Sequence, residues 1–304
     1  MKQLSFKSFD GKEISYCLWE DVKSPKAVVQ IIHGMAEYVE RYDDFAKFLN
    51  SKGFIVLGDD HRGHGRTEGE KNLGITDKNC FDNTIKDIET LSDKAIAQFK
   101  LPLFILGHSY GSFLSQRYIQ LNSDKISGVI LSGSAFMGSA LVKMGKLIAN
   151  LQGAFIDHKK PAKLISKLSF GAFSNPFTDS DLPNRWLSRD QEVVRKYNDD
   201  VFCGYVMSIG FQVSFMNAVT ALCKEQELAK IRKDLPVYII SGTLDPVGGN
   251  GKLVAKLYDI YSGLGIKDLN IKLYDDARHE ILNETNKQEV YDDILAFLEA
   301  RISS

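Results

Sequence analysis

Gly107-His108-Ser109-Tyr110-Gly111 is the stretch of the chain best suited to covalent chemistry. The serine stands between glycines two residues before and two after. An apolar strand-like run, Leu103 to Leu106, precedes it, and a helical run, Ser112 to Gln120, follows. A serine on a tight strand-to-helix turn exposes its hydroxyl, and the flanking glycines let the backbone close without a clash. The helix N-terminus then aims N–H groups and a positive dipole end at developing negative charge. A glycine-rich turn with an incidental serine would not need both flanking elements. The pattern predicts Ser109 as a nucleophile.

A serine hydroxyl needs a base, and the base needs a third group to orient it. Around a turn of this kind the partners follow in the chain order Ser, acid, His. Of the six histidines, His33, His61, His64 and His108 precede or adjoin the serine and His158 lies in a helical stretch. His279 alone follows the last strand-like run, Leu269 to Tyr274, and is the predicted base. Asp245, in SGTLDPVG just after the run Val237 to Ile240, is the predicted acid, with Pro246 stiffening its loop. Asp275 and Asp276 compete, but they share the loop of His279 and read as turn residues. The predicted oxyanion donors are the N–H of Tyr110, just after the nucleophile, and that of Met35, in the loop after Ala27 to Ile32. Losing one such donor typically costs ~2.7–4 kcal/mol of transition-state stabilisation. A further loop, Asp59 to Thr67, packs Asp, His and Arg together. Two glycines and adjacent arginines suit a hydrogen-bonded support for the site better than a metal centre.

These groups need a scaffold. Short, nearly continuous apolar runs (AVVQII at 27–32, FIVL at 54–57, LFIL at 103–106, ISGVIL at 126–131, VYII at 237–240 and LNIKLY at 269–274) alternate with helical segments. Such runs fit strands buried on both faces of a parallel, doubly wound sheet. Leu4 to Tyr16, turning at Asp10-Gly11, reads as an antiparallel hairpin at the edge. From Ala135 to Lys230 only helical patterns occur, and this stretch holds eight of the 18 phenylalanines and four of the six methionines. It reads as a helical cap whose Phe and Met either fill a core or line an apolar pocket. Within it, Phe202 to Leu222 is expected to be a buried or pocket-lining helix.

Composition narrows the function classes. The 304 residues carry 38 Lys+Arg against 39 Asp+Glu, a formal charge of −1, with 44% hydrophobic and 25% charged residues. That balance excludes a disordered chain and argues against nucleic-acid binding, because no basic patch stands out. The four cysteines form no CxxC pair and sit near no histidine at zinc-ligand spacing. No metal or cofactor is expected. The N-terminus lacks a signal-peptide pattern, so the expected compartment is the cytoplasm. Nucleophile, acid and base straddle the helical stretch. The expected organisation is therefore one α/β core, residues 1–134 and 231–304, with a cap at 135–230.

Five ordered motifs carry a resemblance: HGMAE-x-x-x-RY (His33 to Tyr42), DHRGHGRT (Asp60 to Thr67), GHSYGS (Gly107 to Ser112), SGTLDPVG (Ser241 to Gly248) and ARHEILNE (Ala277 to Glu284). Together they resemble the α/β-hydrolase superfamily, in its monoacylglycerol lipase and lysophospholipase branch. The resemblance covers most of the chain. It implies a mostly parallel eight-stranded sheet flanked by helices, with a helical cap inserted after the sixth strand. It implies Ser109, Asp245 and His279 as triad, Met35 and Tyr110 as oxyanion donors, and Glu37 and Arg41 as polar positions near the glycerol end. Ala36 stands where the family motif often has a second glycine, Tyr110 where similar enzymes often carry Met, and Leu282 where some carry a second histidine. The expected function is a cofactor-independent serine hydrolase of lipid-like carboxylic esters, monoacylglycerols or lysophospholipids, working through an acyl-enzyme intermediate, with transient contact between cap and membrane surface. An aminopeptidase or amidase, a thioesterase, and a binding module that has lost catalysis are the rivals. Oligomeric state is left open.

Overall fold

The strand-like runs assemble as expected. In a computed structural model, which describes residues 1–138 and 140–302, eight strands form one sheet. They are β1 (Lys2–Lys7), β2 (Glu13–Trp19), β3 (Ala27–Ile32), β4 (Phe54–Asp59), β5 (Leu103–His108), β6 (Gly128–Ser132), β7 (Val237–Gly242) and β8 (Leu269–Tyr274). Their order across the sheet is β1-β2-β4-β3-β5-β6-β7-β8. The hairpin β1–β2 and the β2–β4 pair are antiparallel, and the rest of the sheet is parallel.

Strands β3 to β7 are buried residue by residue, so their sequences read as unbroken apolar runs. The helices are α1 (Asp43–Ser51), α2 (Gly65–Glu68), α3 (Cys80–Phe99), α4 (Tyr110–Asn122), α5 (Ala140–Phe155), α6 (Lys163–Phe170), α7 (Gln191–Asp199), α8 (Ile209–Leu222), α9 (Glu225–Leu228), α10 (Lys252–Gly263) and α11 (Lys287–Glu299). Residues of α3, α4 and α10 join one buried layer, and residues of α1 and α11 the other. The one polar side chain in the middle of β3, Gln30, is satisfied. It donates to the Ile88 carbonyl at 3.2 Å and accepts from Ser92 Oγ at 2.7 Å.

Helices α5 to α9 lie between β6 and β7. Within 135–230 the described residues pair only through an isolated bridge, Pro161 with Ser208. The helix expected from Phe202 begins instead at Ile209. Ser208 is its N-cap, accepting from the Phe211 N–H at 3.3 Å. The preceding residues are held by other partners: Gly204 N–H donates to the Ala36 carbonyl and Ser208 N–H to the Gly74 carbonyl.

Register decides what the sheet presents. Ile32 pairs with Gly107, His108 with Ser132, Ser132 with Ile240, and Gly242 with Tyr274. The loops after β3, β5, β6, β7 and β8 therefore open along one edge. From β3 the chain runs outward to β4 on one side and to β5 on the other, which leaves a crevice at their carboxyl ends.

Candidate active site

Ser109 occupies the turn between β5 and α4 with φ 53° and ψ −118°, a conformation L residues adopt at a cost. Both flanking glycines are required by contact. A Cβ at Gly107 would strike Ser115 Oγ and the Gly111 carbonyl, and one at Gly111 would strike the Ile32 and His33 carbonyls. The strained serine is held by its N–H donating to the Ser132 carbonyl at 2.9 Å and by Ser112 Oγ donating to its own carbonyl at 2.6 Å.

Asp245 follows β7 and is fully buried. Its Oδ2 accepts from Ser241 Oγ at 2.9 Å and its Oδ1 from the Val247 N–H at 2.8 Å. His279 Nδ1 lies 2.9 Å from Asp245 Oδ1. Burial pushes the Asp245 carboxyl up, but His279 and the hydrogen bonds to it win and hold it below the usual range. For His279 burial works downward, and Asp245, joined by Glu280 and Glu37, overrides it so that the imidazole is raised. Asp275 and Asp276, the competing acids, are exposed in the turn after β8.

Tyr110 is the first residue of α4, and its N–H belongs to the unpaired first turn. The Gly34 side of the loop after β3 lies against the nucleophile: a Cβ built there would sit 3.3 Å from Ser109 Cβ. Among the described residues, neither the Met35 nor the Tyr110 amide has a hydrogen-bond acceptor. Ala36 has φ 54°, in the left-handed region, which accounts for glycine being usual at this position of the motif. Tyr197 Oη donates to the Ala36 carbonyl at 3.2 Å, so the helical stretch braces this loop.

Glu37 and Arg41 meet a partner the sequence did not suggest. Arg41 Nη1 donates to Glu37 Oε2 at 2.5 Å, while Nη1 and Nη2 grip both oxygens of Glu280 at 2.8 and 2.7 Å. Glu37 Oε1 accepts from the Gly34 N–H at 2.5 Å and from Tyr42 Oη at 3.0 Å. Burial pushes Glu37 up, and the nearby Glu280 adds to that against the pull of Arg41. At Glu280 burial also works upward, but Arg41 pulls the group down to about 2. Other neighbours invisible in the sequence also hold His279. The His108 and Trp186 rings lie 4.8 and 5.0 Å from the His279 ring, centre to centre, each tilted against it. Arg278 donates to the Arg185 and Ser188 carbonyls and pairs with Asp179.

In the Asp59–Thr67 loop, Asp60 accepts from the Val39 and Arg66 N–H groups. His33 and His61 stack at 3.8 Å, and His33 Nε2 accepts from the His61 N–H. Burial drives His33 far below its ordinary value and takes His64 down to about 3. Among the described residues no cluster of His, Cys, Asp or Glu side chains converges as a metal ion would require.

Above Ser109 and His279 opens a cavity of about 550 Å³, within the range of ligand sites. Its polar end holds Glu37, His108 and Glu280, and its walls include Phe113, Met137, Ile148, Phe170, Phe173 and Phe215. No lysine or arginine is among the described residues that line it.

A mostly parallel eight-stranded sheet with a strained serine turn and a buried acid–histidine pair at its carboxyl edge defines an α/β-hydrolase. Within that class the chain belongs to the family described as serine aminopeptidase, S33, whose model matches residues 23–286. It is 28% identical over 298 residues to a monoacylglycerol lipase of Mycolicibacterium smegmatis, covering 97% of this chain and 95% of that one. It is 27% identical over 278 residues to the monoglyceride lipase of Mus musculus, covering 90% and 82%. A highly thermostable carboxyl esterase from Bacillus coagulans, solved in complex with glycerol, superposes with a TM-score of 0.90 at 28% identity, covering 99% of this chain and 98% of that one. The chain thus resembles monoacylglycerol lipases along nearly its whole length, and the expectation of a carboxylic ester hydrolase stands.

Proposed function

We propose that this protein hydrolyses long-chain esters of a neutral alcohol, monoacylglycerols above all, through Ser109, Asp245 and His279. Residues 1–134 and 231–304 form the catalytic body, and 135–230 a cap over it. Ser109 Oγ attacks the ester carbonyl as His279 Nε2 takes its proton. Asp245 orients the ring and stabilises the imidazolium, and the Met35 and Tyr110 N–H groups hold the oxyanion. The proton passes to the leaving alcohol. Water, deprotonated in turn by His279, then frees the fatty acid. The observation that carries this reading is the cavity: apolar along its walls, acidic at the Ser109 end, with no cation among the described residues that line it. Each acyl methylene buried there contributes about 0.8 kcal/mol. A phosphate-bearing head group would meet Glu37 and Glu280, which share the single cation Arg41, and would find no cation among the described lining residues. An aminopeptidase would need free carboxylates for the substrate ammonium. Glu37 and Glu280 are engaged by Arg41, and Asp179, Asp181, Glu192, Asp199 and Asp200 do not line the cavity.

The cap supports transient contact with a lipid surface. Met144, Leu147, Leu151 and Phe155 form an exposed stripe along α5, with Phe155 86% exposed, and Leu164 and Leu168 continue it on α6. Residues 140–168 carry six lysines against the single acid Asp157, a pattern suited to an anionic interface. Among the described residues no helix is long and apolar enough to cross a membrane. Four free cysteines are compatible with a cytoplasmic location. The test is hydrolysis of 1-monoacylglycerols, anionic lysophospholipids and p-nitrophenyl butyrate by the wild type and Ser109→Ala. Monoacylglycerol turnover lost in the variant, with the fluorophosphonate label lost too, supports the reading. Activity surviving in Ser109→Ala, or turnover of short esters alone, refutes it.

A further inference from the structure

The loop that carries the base and the loop that carries an oxyanion donor are tied by buried charge, and the knot is a residue outside the triad. Glu280 is adjacent to His279 and 4% exposed. Both of its oxygens are gripped by Arg41, and Asn283 Nδ2 donates to Oε2 at 3.1 Å. Arg41 reaches on to Glu37 Oε2, and Glu37 Oε1 takes the Gly34 N–H, one residue before Met35. The Arg41 guanidinium also lies 4.8 Å from the ring centre of Tyr197, whose hydroxyl holds the Ala36 carbonyl.

We propose that Glu280 is a positioning residue for ester hydrolysis. Through Arg41 and Glu37 it sets the Gly34–Met35 turn against the nucleophile, and its own charge faces the imidazolium that forms on His279. This inference rests on the reading of His279 as base. Two carboxylates on one guanidinium leave a buried excess of one negative charge beside a ring that must become cationic in the transition state. The charged and titratable groups facing that ring are Asp245, Glu280, Glu37 and the neutral His108. Burial holds His108 down to about 3.

The experiment compares wild type, Glu280→Gln and Glu280→Asp on p-nitrophenyl butyrate, with kcat and KM measured from pH 5 to 9 and active sites counted by fluorophosphonate titration. Glu280→Gln leaves Arg41 paired with Glu37 and the site neutral. It is expected to lower kcat per titrated site, by up to about 100-fold for a misplaced group, with KM little changed. Its acid limb moves to lower pH, because the base has lost a neighbouring negative charge. Glu280→Asp keeps the charge and shortens the reach, so its kcat falls while the acid limb stays. A purely structural role would reduce the number of titrated sites and leave kcat per site and the acid limb unmoved in both variants. That result overturns the proposal, as does wild-type behaviour of Glu280→Gln. A wild type that hydrolyses no ester refutes the proposed function instead.

Discussion

Gly133 offers a sharp test of how tightly His279 is seated. It follows β6 with φ 56°, and its N–H donates to the Ile240 carbonyl at 2.9 Å. A Cβ at this position would lie 2.9 Å from His279 Cε1, 3.1 Å from His279 Nδ1 and 3.1 Å from His108 Cε1. Carbon atoms in contact prefer about 3.5–4.0 Å, so in Gly133→Ala the rings must retreat by roughly 0.5–1 Å. Retreat is obstructed, because His279 is wedged between His108 and Trp186 and lies 2.9 Å from Asp245. A displacement of that size can cost up to about 100-fold in rate. The backbone adds its own penalty, since alanine in the left-handed region costs ~1–2 kcal/mol. The expected outcome is a large fall in kcat on p-nitrophenyl butyrate with a drop in Tm of a few degrees, measured on folded protein counted by circular dichroism. A variant with wild-type kcat, or one whose lost activity is matched by lost folded protein, would refute the claim that Gly133 is kept bare for the histidine.

Two further outcomes follow from buried charge and exposed apolar surface. His33, His64 and His108 are held neutral by burial, His64 and His108 down to about 3. Below about pH 6.5 the unfolded chain binds protons that these groups refuse when folded. Stability should therefore fall as pH drops, by up to about 1.4 kcal/mol per pH unit for each histidine, partly offset by His279, whose raised value works the other way. Urea denaturation at pH 7, 6, 5 and 4 reads this, and a flat profile contradicts it. On the cap, Leu147→Ser and Phe155→Ser lie outside the cavity. Each should weaken co-sedimentation with phosphatidylglycerol vesicles about tenfold or more while p-nitrophenyl butyrate turnover is unchanged; equal binding by both variants and the wild type would remove the cap from membrane contact.

Much of this architecture was legible because the sheet's strands announce themselves. Residues buried on both faces read as unbroken apolar runs, and chain order along their carboxyl ends named Ser109, Asp245 and His279 before any geometry was known. The structure then brings Asp245 and His279 to 2.9 Å. What stayed hidden depends on pairing across the chain. Phe202 to Ser208 looked helical because apolar residues there are dense, but Gly74 and Ala36 take its N–H groups and Ser208 caps the helix only afterwards. Glu280 carried no signal of its own in the sequence, since its partner Arg41 is 239 residues away.

Net charge hides position in the same way. A sum of −1 over 304 residues conceals two opposed fields. One is the Glu37–Arg41–Glu280 cluster, buried beside His279 and carrying an excess of negative charge. The other is the lysine-rich cap face, where six cations flank an exposed apolar stripe. In the proposed function the first disfavours an anionic head group and favours an imidazolium on His279, and the second favours an anionic surface. This arrangement matches the proposed function, in which neutral esters are drawn from an anionic lipid interface.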